Sequence, residues 1–402
     1  MTEDSSSLSS THPPLPPTTE EDRFAWLRLL RSRRVGVMTF WRLLAEHGSA
    51  QAALDALPAV AAAAGVENYA ICPEGVALSE MKAARLHGAH LVFRGAPGYP
   101  PLLSDISDPP PFLWVAGAPA TLMRPTVALV GARNASSLGT RMARALARGL
   151  GEEGIVVASG LARGVDAAAH AAAVETGTVA VLAGGADVLY PAENSRLAEQ
   201  IRAEGGAIVS EQPFGMQPQA RHFPARNRIV SGMAAATVVV EAAAKSGSLI
   251  TARCALDEGR EVLAVPGHPL DARAGGCNIL IRDGARLVRN AADVIEAVGP
   301  LLSGHGKAPR DAVQPALPFE PPPSAETPAQ PVIPPAPPET RSLRDTAALH
   351  REILSRLGPS PLAEDQLIRD LGAPSDRVSP ALTDLEIEGH IERRPGGLLS
   401  RV

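Results

Sequence analysis

The sequence predicts an α/β protein built on a parallel sheet, and three observations carry that prediction. From Thr126 to about Val298, short apolar runs alternate with helical patterns: VALV, IVVA, VAVL, AIVS, TVVVE and VLAV. The runs are continuously apolar rather than alternating, as strands covered on both faces are. Glycine-bearing turns follow the first three runs, at strand carboxyl ends, where ligands of such sheets bind.

Before that region, residues up to about 20 are polar, acidic and proline-bearing, and are expected to be disordered. Residues 21–98 form a predicted helical domain, because FAWLRLLRSRRVGVMTFWRLLAEHGSAQAALDAL places apolar residues at three- and four-residue spacing. Its Arg31, Arg33 and Arg34 precede Gly36, which leaves two readings, a hairpin on a DNA backbone and a plain packing domain. Tyr99 to Leu113, YPPLLSDISDPPPFL, is too rich in proline for regular helix or central strand and is expected to wrap the sheet domain, 99–300. Residues 301–343 read as an extended proline-rich linker. In 344–402, three helical patterns and a hairpin turning at Pro395-Gly396-Gly397 predict a winged helix. The second half of its third helix is acidic, so protein and DNA contact are both open there.

The chain has 402 residues and a net charge of −5, so a nucleic-acid partner would be held by a local basic site. Three scattered cysteines, Cys72, Cys254 and Cys277, include no CxxC pair. No disulfide framework or zinc site is expected, and a reducing cytoplasm is the default compartment. MTEDSSSLSSTHPPLPPTTEEDR lacks a basic-then-apolar signal pattern, and no apolar stretch is long enough to span a membrane. Gly131-Ala132-Arg133 does not match a dinucleotide fingerprint, and there is no Walker loop, GxSxG elbow or HExxH, so no cofactor, metal or catalytic residue is expected. His170 reads as a buried or capping histidine, Cys277 as a packing thiol, and Glu211, Glu241 and Asp187 as anchors for arginines.

The most informative stretch is PARNRIVSGMAAATVVVEAAAKSGSLITARCALDEGREVLAVP, from Pro224 to Pro266. Arg226-Asn227-Arg228 lies on a short predicted helix, and Lys245-Ser246-Gly247-Ser248 opens another after a buried strand. A helix N-terminus with hydroxyls and cations nearby suits phosphate, whereas the plain alternative is a capped helix beside surface charge. For base stacking, Phe214, His222 and Phe223 are the candidates, with Phe223 equally readable as core.

These residues resemble the DNA-processing DprA (Smf) family. The matching pieces, in family order from about Tyr99 to Val288, are YPPLLSDISDPPPFLWVAG, VALVGARNASSLG, SGLARGVDAAAHAAAV, AGGADVLYPAEN, SEQPFG, FPARNRIVSG, EAAAKSGSLITA, PGHP and GCNILIRDGA. The resemblance implies an extended Rossmann fold with an N-terminal SAM-like helical domain and a C-terminal winged helix. It implies a protein that binds and protects single-stranded DNA, dimerises, and loads RecA-type recombinase in natural transformation and recombination. Carried over by motif, Arg133, Arg226, Asn227, Arg228, Lys245, Ser246, Gly247 and Ser248 would line the phosphate pocket, with Gly131, Gly160 and Gly164 in the glycine turns and Phe223 beside it. The family commonly has Gly-Ser-Arg where this chain reads Gly131-Ala132-Arg133, which removes one hydroxyl. Two other classes stay open: a phosphoribohydrolase-like enzyme on a similar fold, although AKSGSLIT departs from that family's PGGxGT loop, and an adaptor working through its termini.

Overall fold

The structure, a computed structural model, describes residues 15–305 and then 352–357, 362–371, 378, 381–382, 385, 390–394 and 398–401. Most of the expected disordered tail and linker, the third C-terminal helix for the most part, and the turn at Pro395-Gly396-Gly397 lie outside these residues. The chain divides into two units, Met1–Ala312 and Val313–Val402.

The first unit begins with four helices, α1 (Glu20–Arg31), α2 (Val37–His47), α3 (Ala50–Ala63) and α4 (Glu74–Leu86). Thr19 starts α1 with a reciprocal capping box to Asp22, and Gly48 ends α2 in the left-handed conformation at φ 76°. Strand β1 (Ala89–Phe93) follows, then the short helix α5 (Pro101–Ser104) and strand β2 (Phe112–Gly117). The strands and helices that come next are β3 (Thr126–Gly131), α6 (Ser137–Glu152), β4 (Val156–Ser159), α7 (Val165–Ala173), β5 (Thr178–Val181), α8 (Ser195–Ala203) and β6 (Ala207–Ser210). After them come α9 (His222–Gly232), β7 (Ala236–Glu241), α10 (Ser248–Asp257), β8 (Glu261–Ala264), α11 (Gly275–Arg282), β9 (Arg286–Leu287) and α12 (Ala291–His305). The six apolar runs of the sequence are β3 to β8.

These nine strands form one sheet in the order β1-β2-β6-β5-β4-β3-β7-β8-β9. It is parallel from β6 to β9, but β1 and β2 add an antiparallel edge that the sequence reading did not anticipate. The proline-rich lead-in does more than wrap the sheet, since Phe112 and Leu113 open β2, which lies between β1 and β6. Its prolines supply no N–H, yet their carbonyls are satisfied: Trp41 Nε1 donates to Pro109 O at 2.8 Å, Tyr99 Oη to Pro110 O at 2.7 Å and Arg94 N to Pro111 O at 2.9 Å. The boundary at residue 98 also shifts. β1 belongs to the sheet, and Leu27, Phe40 and Leu54 share a core with Phe112, Trp114 and Ile208. Trp26 packs edge-on against Phe40, Trp41 and Phe93 at 5.1–5.9 Å, each such pair being worth about 0.5–1.5 kcal/mol. Arg31, one of the arginines considered for DNA, is instead forked onto Glu80, which also accepts from Trp114 Nε1 at 2.7 Å. Its side chain is only 10% exposed, so it serves packing.

Elsewhere α6, α7 and α12 cover one face of the parallel strands, and α9, α10 and α11 cover the other. From β3 the chain runs outward through β4, β5 and β6, then returns to place β7 on the opposite side of β3. That reversal is a topological switch point, and it opens a crevice at the carboxyl ends of β3 and β7.

In the second unit, β10 (Leu362–Ala363), β12 (Leu398–Arg401) and β11 (Ile391–Arg394) form an antiparallel sheet in that order. Helical residues 352–356 and a helix at Glu364–Leu371 pack Ile353, Leu357 and Leu367 against Ile391 and Leu399. Strands and helices in this arrangement fit the winged helix expected there. Among the described residues, the three cores of the first unit contain none beyond Val298, so a chain ending at Ala312 is expected to keep its fold. Thermal melting checks this, and a truncated chain that precipitates or shows no transition contradicts it.

Candidate nucleic-acid interface

The switch-point crevice is a cavity of about 660 Å³, lined among others by Gly131, Arg133, Asn134, Gly160, Phe223, Arg226, Asn227, Lys245, Ser246, Gly247 and Ser248. A second cavity of about 350 Å³ adjoins it, sharing Arg133, Gly160, Phe223 and Arg226 and adding Arg163, Tyr190 and Glu193. Eleven of the twelve residues expected at the site are thus at or beside it. Ten line the cavities, and Gly164 sits in the supporting turn. Arg228 is the exception.

Arg228 lies on the far side of α9. Its Nε is 3.0 Å from Asp108 Oδ2 and its Nη2 2.5 Å from Glu211 Oε2, with 11% of the side chain exposed. It lines a different cavity, with Arg31, Asp108 and Glu211. At about 100° per residue, Arg226 and Arg228 point roughly 200° apart, so one helix cannot aim both at one ligand. Arg228 therefore holds α9 to the β6 end rather than facing the crevice.

Arg226 reaches the crevice from below. It is buried, donates from Nη1 to Val181 O at 2.6 Å, and leaves Nε without a protein partner. Burial pushes its guanidinium down to about 10, and nearby Arg133 adds to the effect while Asp166 opposes it. Asp166 in turn accepts from Gly160 N at 3.1 Å and Ala162 N at 3.3 Å, and burial raises its carboxyl. It organises the turn between β4 and α7, where Leu161 adopts φ 55°.

The glycines serve this packing rather than the approach of a ligand. A side chain at Gly160 would overlap the Arg226 guanidinium, and one at Gly164, at φ 75°, would strike the Ala132 carbonyl. At Gly131 the obstacles are Val165 and the Glu241 carbonyl. Backbone bonds from Ala132 N to Glu241 O at 2.7 Å and from Val165 N to Ala132 O at 3.2 Å hold the loops after β3 and β7 and the start of α7 together. Ala132 contributes through its backbone.

Above this base the cations are exposed. Arg133 and Lys245 are solvent-facing, and neither is in an ion pair among the described residues. The Arg133 guanidinium lies 5.2 Å from the centre of the Phe223 ring, and Tyr190 stands 6.2 Å from Phe223 and is half exposed. Phe223 is half-buried, with its ring available beside the cations. The other two stacking candidates are elsewhere: Phe214 packs on Trp114, and His222 is buried, accepting from Gln219 N. Tyr190 escaped the sequence reading, although an aromatic in a loop beyond a strand's carboxyl end was the signal. Ser246 and Ser248 hydroxyls bond each other at 2.7 Å at the start of α10, where donors favour an anion.

Of the carboxylates expected to anchor arginines, only Glu211 does so. Glu241 accepts from Ser136 N and Oγ and fixes the start of α6, and Asp187 accepts from Gly215 N at 2.9 Å. Asn278 locks the loop after β8 by exchanging two hydrogen bonds with Gly267, at 3.1 and 3.0 Å. Cys277 is buried, its thiol pushed up to about 11 by burial, as suits a packing role.

His170 is fully buried, its Nδ1 2.7 Å from Thr178 Oγ1, and burial aided by Arg226 pushes its pKa from 6.5 down to about 3. The unfolded chain takes up a proton near pH 6.5 that the folded one refuses until about 3. Its stability contribution is therefore full above pH 6.5 and is lost on acidification through that window, at up to about 1.4 kcal/mol per pH unit. Asp166 and Glu211, with carboxyls raised by burial, act in the opposite sense, so the His170 part is isolated by comparison with a variant. The gap in melting temperature between wild type and His170→Gln should narrow as pH falls from 7 to about 4.5; a gap independent of pH would contradict this assignment.

Fold and site together define a doubly wound α/β protein with a cationic cleft at its switch point. The family model described as DNA recombination-mediator protein A matches residues 90–299, and models described as DprA-like N-terminal HHH domain and DprA winged helix domain match residues 20–83 and 335–397. Protein Smf of Escherichia coli is 36% identical over 310 residues, covering 77% of this chain and 76% of that relative. DNA processing protein DprA of Streptococcus pneumoniae is 45% identical over 199 residues, or 49% of this chain and 70% of its own. The X-ray structure of the Streptococcus pneumoniae protein aligns with a TM-score of 0.51 at 33% identity, covering 66% of this chain and 98% of that one. The chain belongs to the DprA/Smf family of DNA-processing proteins. No helix among the described residues is long and apolar enough to cross a membrane, and no cluster of metal-ligating side chains is found among them.

Proposed function

We propose that this protein binds single-stranded DNA at the switch-point crevice and passes the strand to a RecA-type recombinase, protecting it meanwhile. The observation that carries the reading is the juxtaposition of Arg133, stacked on the half-buried Phe223, with the exposed Lys245 and the serine-rich start of α10. Cations for phosphate beside an aromatic for a base are the two parts of sequence-tolerant single-strand binding. The mediator description of the matching family supports the hand-over to a recombinase. A homodimer, also implied by the family resemblance, would place two such crevices in one particle. The reading is of a binding site rather than a catalytic one, and it is supported by the structural roles of Asp166, Glu211 and Glu241, each of which is held by hydrogen bonds or an ion pair.

A gel shift comparing single-stranded with blunt duplex DNA tests this reading. Tight binding to single strands, weak binding to duplex and little base preference are expected, and equal affinity for both overturns it. Incubation with nucleoside monophosphates, with base release monitored, distinguishes the enzyme of similar fold; no release is expected.

A further inference from the structure

Helix α6 leaves the crevice with a charge pattern that the crevice itself does not use. Its cap, Ser136, lies two residues beyond Asn134 of the cavity wall. Arg141, Arg144 and Arg148 are all exposed, and at about 100° per residue they fall within an arc of roughly 60°. The opposite side of the helix buries Ala143, Leu146, Ala147 and Leu150 against the sheet. No ion pair among the described residues holds any of the three arginines.

A helix kept merely soluble mixes its signs, as α1 does with Arg23 and Glu20 and α2 with Arg42 and Glu46. From Ser137 to Leu150, α6 has no acidic residue at all, in a chain whose net charge is −5. Glu152 and Glu153 then close the stripe. From its cap to Arg148 the helix runs about 18 Å, a length suited to several nucleotides in a site class spanning roughly 4–16.

We propose that the arginine stripe of α6 is a second contact segment for single-stranded DNA, guiding the strand out of the crevice along the helix. The inference rests on the single-strand reading of the crevice and adds a direction of exit to it. Each arginine neutralises one phosphate, without reading bases.

The test uses the full chain with Arg141, Arg144 and Arg148 all replaced by Gln, and a matching variant with all three replaced by Lys. Glutamine keeps helix propensity and Lys keeps charge, so the pair separates a loss of charge from a loss of fold. Labelled oligothymidine of about 6 and about 25 nucleotides is titrated by anisotropy over a range of salt. The Gln variant should bind the short oligomer within twofold of wild type and the long one at least tenfold more weakly at low salt. Its log–log salt slope on the long oligomer should fall by about 2, three contacts at about 0.7 each, while the Lys variant stays near wild type. An unchanged long-oligomer affinity, or an equal loss at both lengths, overturns the stripe while leaving the crevice intact. Failure of the wild type to bind the short oligomer overturns both.

Discussion

Replacing Arg228 by alanine is expected to lower the melting temperature by about 10 °C, the shift that goes with removing one member of a buried ion pair at about 3–5 kcal/mol. Arg228 lies between Asp108 and Glu211, and the Glu211 side chain is only 10% exposed. Without the guanidinium, a buried carboxylate loses its direct partner and keeps only the weaker pull of Arg31, which is itself forked onto Glu80. Burial already raises the Glu211 carboxyl and Arg228 opposes that, so loss of Arg228 should raise it further and the defect should shrink as pH falls. Combining Arg228→Met with Glu211→Gln should recover most of the stability, because a neutral pair has no charge to strand. DNA binding by the folded variant should keep the wild-type salt slope. An unchanged melting temperature would mean that the pair contributes nothing and that Arg228 is available for other work.

Phe223→Ala should weaken single-strand binding by about 5- to 150-fold, the range of roughly 1–3 kcal/mol for one stacked base. Its salt slope should not change, since no phosphate contact is lost. Phe223→Tyr keeps the ring and should bind nearly as well as wild type. The Arg133 guanidinium lies 5.2 Å from the same ring, so Phe223→Ala and Arg133→Ala should be coupled in a double-mutant cycle. Equilibrium titration of the four proteins measures this, and strictly additive losses would show that ring and cation act separately.

Much of this molecule was legible before its structure. The runs that became β3 to β8 could be read because strands buried on both faces are continuously apolar, and the turns after them because glycine marks tight backbone. The antiparallel edge was not legible: three prolines precede Phe112, and only distant partners, Trp41, Arg94 and Tyr99, satisfy their carbonyls and let a strand follow. Arg228 was misplaced for a different reason. Its partner Glu211 lies 17 residues away, across a loop whose course the sequence does not state. Helical phase alone could have separated it from Arg226, since residues two apart do not share a face. The glycine turns were legible but what packs into them was not, because the group that crowds Gly160 is the chain's own Arg226, 66 residues further along. Tyr190 was overlooked because its neighbour Phe223 comes from a helix 33 residues further along.

The most direct test of the account is the salt dependence of single-strand binding for the protein with Arg133 and Lys245 both replaced by Ala. Both side chains are exposed at the crevice, so the fold should be retained and the melting temperature should change little. If each neutralises one phosphate, the log–log slope should fall by about 1.4, or somewhat less where the two share phosphates. A wild-type slope with an earlier melt would instead mean that these cations hold the sheet edge together and that the crevice is not where DNA binds.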